Sequence, residues 1–77
     1  MRMKLAVFEA LSTLLRGDPE SPANRAARRV LVDGISQADA MRETGATRSS
    51  VSDAVRRFEK TDTLVRDAYG LKSRTKP

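Results

Sequence analysis

Gly45 stands between two stretches whose apolar and small residues recur at helical spacing, and this arrangement limits the fold more than any other feature of the chain. Residues 37–56, QADAMRETGATRSSVSDAVR, predict a helix, a tight turn and a second helix. Glycine adopts the positive φ of such a turn at no steric cost. On the first helix Ala38 and Ala40 supply small side chains for a close crossing, and Ala46 packs beneath the turn. On the second, Val51, Ala54, Val55 and Phe58 fall within about 100° of one another and form a stripe facing the core.

The flanking segments are punctuated in the same way. Leu5, Phe8, Leu11, Leu14 and Leu15 predict a helix from about Lys4 to Leu15, with these five residues on one face. Gly17, Asp18 and Pro19 end it. Ser21 then caps a helix that has Pro22 at its first position, where the missing N–H costs nothing. Its inward residues are Ala23, Ala26, Ala27, Val30 and Leu31, and Arg25, Arg28 and Arg29 point outward. Asp33 and Gly34 close it. Ser36 caps the next helix, with Asp39 imitating a capping box. Thr47 caps the one after, which runs from Arg48 to about Glu59.

Thr61, Asp62 and Thr63 either break that pattern or lie within it; beyond them Leu64, Val65, Ala68 and Tyr69 form an apolar cluster on a fifth helix or a continued fourth. Gly70 stops it. Residues 71–77, LKSRTKP, are basic and lack apolar spacing, so they predict a flexible tail in which Lys72, Arg74 and Lys76 are solvated or track phosphates. Nothing alternates as a strand does. The expected fold is all-α: one domain over residues 1–70 with four to five helices, including a helix-turn-helix at 37–58.

Size adds a further expectation. A domain of 77 residues buries only about 60–65% of its unfolded surface. With no Cys and no His it lacks disulfide staples and the usual zinc ligands. A homodimer supplies the missing buried area, and the apolar cluster of Leu64, Val65, Ala68 and Tyr69 is either its seam or part of the core. The absence of His also leaves Ser49, Ser50 and Ser52 without a base, so no enzyme, cofactor or metal is expected. The opening MRMKLAVFEALSTLL superficially resembles a secretion signal, but Glu9, Ser12 and Thr13 interrupt its apolar run. With no membrane span in sight, a cytoplasmic, nucleoid-associated protein is expected.

Charge points to a partner. Fifteen Lys and Arg oppose ten Asp and Glu, for a net charge of +5, and eleven of the cations are Arg. The guanidinium fork matches phosphate and guanine, so double-stranded DNA is the expected ligand, with coding bias as the bland explanation. On the helix from Arg48, the residues Ser49, Ser52, Asp53, Arg56, Arg57 and Lys60 face away from the core, and Thr47, Arg48, Ser49 and Ser50 lie at the end that enters a major groove first. Arg48 reads guanine or is a solvated first-turn residue. Asp53 accepts from cytosine or pairs with Arg56 or Arg57. Arg56 and Arg57 suit phosphate better than bases, and Gln37 suits a backbone phosphate. With so little interior, no small-molecule effector pocket is expected.

These residues resemble a family. VLVDG at Val30 to Gly34, then Gln37–Ala38, Gly45, Thr47–Arg48, Val51–Ser52 and Ala54–Val55 look like the KorA/TrfB transcriptional repressors of plasmids, over roughly residues 26 to 58. The resemblance implies a homodimer that binds a palindromic operator and represses by covering promoters, including its own. Small repressors of this kind also occur in phages, including beside anti-CRISPR genes. The family carries glutamine where this chain has Asp53, which implies a different operator. Two other functions fit a helix-turn-helix of this size: an adaptor module that binds another protein, and a non-specific nucleic-acid-binding protein. An adaptor more often exposes Leu, Met or aromatic residues where this chain has Thr47, Arg48 and Ser49.

Overall fold

Side-chain caps and one glycine fix most of the helix boundaries. The computed structural model describes residues 3–18 and 20–70, so the tail at 71–77 and Pro19 lie outside the described residues. Four helices form: α1 (Leu5–Leu15), α2 (Pro22–Leu31), α3 (Gln37–Thr44) and α4 (Arg48–Ala68). The described residues contain no strand. Ser21, Ser36 and Thr47 each precede a helix in extended conformation, and each side chain accepts the backbone N–H three residues on. The Asp39 side chain does not complete a capping box; it pairs with Arg42 instead. Gly45 ends α3 at φ 76°, its N–H donating to the Met41 carbonyl.

The end of α1 departs from expectation. Arg16, not Gly17, takes the left-handed conformation, at φ 54°. Gly17 is needed for room, because a Cβ there would sit 3.0 Å from Asn24 Nδ2. That buried amide donates to the Asp18 carbonyl at 2.7 Å and fixes the loop between α1 and α2.

Small residues bring the helices close. α2 packs on both α3 and α4, and α1 lies mainly against α4. Ala26, Ala27, Ala40 and Val51 are completely buried. Phe8 of α1 and Phe58 of α4 stack with ring centroids 4.2 Å apart and planes 17° from parallel. The inward residues expected on α2 are all buried or packed against the core. Two expectations fail. Ala38 is exposed, so Ala40 alone provides the small contact on α3. Leu5 and Leu14 are also exposed, because each i+3 step falls about 60° short of a turn; nine residues apart, they stand on opposite flanks of the Phe8–Leu11 stripe.

No break occurs at Thr61–Thr63. α4 runs for 21 residues, about 31 Å. Asp62 falls on the same stripe as Val51, Val55 and Phe58 and is buried there. Arg66, one turn on, donates through Nε to both carboxylate oxygens at 3.2 Å. The pair makes a charged residue tolerable on a core-facing stripe, so the helix continues.

Candidate nucleic-acid interface

The turn between α3 and α4 is built by two threonines around Gly45. Thr44 Oγ1 donates to the Ala40 carbonyl at 2.7 Å and accepts the Ala46 N–H at 3.3 Å. A hydroxyl at this point satisfies backbone groups that the sharp turn strips of partners. Ala46 packs partly against the core, as expected. Thr47 Oγ1 accepts the Ser50 N–H at 3.2 Å and donates to Ser50 Oγ at 2.7 Å. The Thr47 hydroxyl is therefore committed to starting α4, while Ser50 keeps its own proton to donate.

From this start, α4 presents the expected face. Arg48, Ser49, Asp53, Arg56, Arg57 and Lys60 are exposed, and Val51, Ala54, Val55 and Phe58 are buried behind them. Ser52 is half-buried at the border. Gln37 is exposed at the first position of α3. The core stripe holds this face rigidly, because Phe58 and Val51 are the largest fully buried side chains.

Charge is distributed unevenly over the helices. On α2 and α3, Arg29 and Arg42 are neutralised, while Arg25 and Arg28 form no ion pair among the described residues. Arg29 donates to Asp33 at 2.8 Å and through two nitrogens to Glu43 at 2.7 and 2.9 Å, and Arg42 pairs with Asp39. The Arg29 hydrogen bond holds the Glu43 carboxyl below the usual glutamate range, and Glu43 and Asp33 together raise Arg29. On the first half of α4, by contrast, Arg48, Arg56, Arg57 and Lys60 form no ion pair among the described residues. Asp53 forms none with Arg56 or Arg57, which removes one of its two expected roles.

Several residues do more than their sequence pattern announced. Arg29, read as an outward cation beside Arg25 and Arg28, clamps the end of α2 to α3. The i,i+4 spacing to Asp33 signals half of that clamp; Glu43, fourteen residues away, carries no local signal. Asn24 and Arg66 were likewise silent. In the apolar cluster Val65 packs against the core, whereas Leu64, Ala68 and Tyr69 are exposed. Leu64 continues the outward face of α4 beyond Lys60. No described helix is long and apolar enough to cross a membrane. A cleft of about 390 Å³ opens between α1 and α2. Comparison with family models, curated proteins and solved structures finds no match for the chain.

Proposed function

We propose that this chain is a sequence-specific DNA-binding repressor that acts as a homodimer on a palindromic operator, with its own promoter among its targets. The unpaired cations of α4 carry the reading. Arg56, Arg57 and Lys60 share one exposed face of α4 and Arg48 stands at its start; none of the four meets an acid among the described residues, whereas Arg29 and Arg42 of the neighbouring helices are paired. Such a face gains most from an anionic partner, through counterion release. The turn at Gly45 and the cap at Thr47 present the N-terminal end of α4, where Arg48, Ser49 and Ser50 reach base edges in a major groove. Arg56, Arg57 and Lys60 then follow the phosphates. With its hydroxyl capping the helix, Thr47 contributes position more than readout. Asp53, free of Arg56 and Arg57, accepts from cytosine N4.

Leu64, Ala68 and Tyr69 form the seam with a second copy. Leu64 is 59% exposed and Tyr69 78% exposed, which leaves apolar surface for a partner to cover. Repression follows from exclusion of polymerase, with no chemistry required. Selection of binding sites from random duplexes tests the proposal. The expected outcome is a palindrome whose half-sites lie one helical turn apart, about 34 Å. Recovery of unrelated sequences with equal affinity would identify a non-specific binder instead.

A further inference from the structure

One carboxylate stands in the middle of the cationic face of α4. At ~100° per residue, Ser49, Asp53, Arg56 and Lys60 each lie within about 30° of the direction opposite the buried stripe of Val51, Ala54, Val55 and Phe58. Asp53 is exposed there, one turn after Ser49 and one turn before Arg56 and Arg57. Elsewhere in this chain the same spacings, acid first, make ion pairs. Asp39 pairs with Arg42 at i,i+3 and Asp62 with Arg66 at i,i+4. Asp53 pairs with neither Arg56 nor Arg57, and its oxygens accept no hydrogen bond among the described residues. It also lies beyond the first turn of α4, where a negative charge favours the helix dipole. The fold therefore makes no use of this carboxylate.

We propose that Asp53 is the specificity-determining residue of α4, and that it requires a cytosine with an unsubstituted N4 amino group at one position of each half-site. The inference rests on the proposed function, which brings this face into a major groove. The middle row of such a face lies nearest the base edges, so the carboxylate meets bases there. Guanine N7 and O6 and thymine O4 are acceptors and repel it; the adenine N6 amino group stands beside the N7 acceptor. Cytosine N4 donates with no acceptor beside it on the same base. On every other sequence the carboxylate stays unpaired against a polyanion, which lowers affinity for those sequences. Arg56, Arg57 and Lys60 attract any duplex, and Asp53 makes that attraction conditional. One amino hydrogen of cytosine pairs with guanine and the other faces the major groove. A methyl group on N4 that leaves the base pair intact replaces the groove-facing hydrogen, and with it the donor. A methyl group on C5 leaves that hydrogen in place.

Binding-site selection with the native chain, Asp53→Asn and Asp53→Ala tests this, followed by anisotropy on the selected duplex. Asp53 is exposed, so both substitutions leave the core intact. Both are expected to bind mixed-sequence DNA about threefold or more tighter than the native chain, because a negative charge is gone from the face. Asp53→Ala is expected to lose the cytosine preference at one position per half-site and to keep the preferences at the others. N4-methylation of that cytosine weakens the native chain by about tenfold or more and leaves Asp53→Ala unchanged, whereas C5-methylation weakens the native chain far less. A site selected by the native chain that Asp53→Ala selects equally well overturns this inference and spares the proposed function. So does native binding that N4-methylation leaves unchanged, or mixed-sequence affinity that neither substitution raises. Failure of the native chain to select any sequence overturns both.

Discussion

Arg48 and Arg57 lie on the same helix but, under the proposed function, would face different parts of a duplex. Arg48 occupies the first position of α4, directly after the Thr47 cap, where the proposed function puts base edges. Arg57 sits about two and a half turns on, beside Arg56 and Lys60, where the proposed function puts the phosphates. A bidentate contact to guanine contributes about 1–3 kcal/mol of discrimination, whereas a phosphate contact contributes equally for every sequence. Arg48→Ala is therefore expected to bring operator affinity down toward that for random DNA. Arg57→Ala is expected to weaken both alike and to reduce the slope of log affinity against log salt by about 1. Fluorescence anisotropy with operator and scrambled duplexes over a salt series measures both quantities. A specificity ratio unchanged in Arg48→Ala would move base reading to Ser49, Ser50 or Asp53. Neither substitution touches the core, so a change in melting temperature is not expected to accompany either effect.

Between elements, the clamp of Arg29 on Glu43 joins α2 to α3 and so fixes the angle at which the turn delivers α4. The Glu43 carboxyl has a lower proton affinity in the folded chain than its ordinary value of 4.5, chiefly because Arg29 donates to it. Protonation thus favours the unfolded chain. The stabilisation is complete above the ordinary glutamate value and is lost as pH falls through it toward the lowered folded value. Urea denaturation across that acidic window should show the native chain losing stability more steeply than Glu43→Gln, with the two curves converging at the acid end. Both side chains are half-exposed, so added salt should shrink the difference. Parallel curves would show that the clamp contributes nothing to stability.

The clamp also marks the limit of what the sequence reveals about elements. Ser21, Ser36, Thr47 and Gly45 act within one turn of their own positions, and their roles as boundaries were legible from the residues alone. The exposed face of α4 was legible for a related reason: once Val51, Ala54, Val55 and Phe58 are assigned to the core, helical geometry leaves the other side to solvent. Arg29 with Glu43, and Asn24 with the loop before α2, depend on which helices meet, and no local pattern encodes that. Asp62 was misleading because a carboxylate on a core stripe reads as a break until Arg66 is seen to neutralise it. The Thr47 hydroxyl could serve the cap or the groove, and only its bonds to Ser50 decide between them.

At the scale of the whole molecule, the proposed function makes α4 both reader and strut. Its length of about 31 Å nearly matches the longest dimension of the described residues, 37 Å. From Ser52, in the reading half, to Leu64 is twelve residues, or about 18 Å along the axis. Two copies paired through Leu64 with antiparallel α4 helices therefore set their reading segments up to about 36 Å apart, the spacing of successive major grooves on one side of a duplex. The proposed seam and the proposed groove-reading face are thus linked by a single unbroken helix. Leu64→Asp is expected to yield a monomer by sedimentation and to lose about a hundredfold or more in operator affinity, since the second half-site no longer benefits from tethering. Because Leu64 is exposed in the protomer, the substitution leaves its core intact, and the helical circular dichroism of the monomer should be preserved. Tyr69→Ala, which removes a side chain from the same seam, should weaken the dimer without adding charge. A dimer that survives both changes would place the seam on α1, where Leu5 and Leu14 stand exposed, and the spacing of the reading segments would then no longer be set by α4.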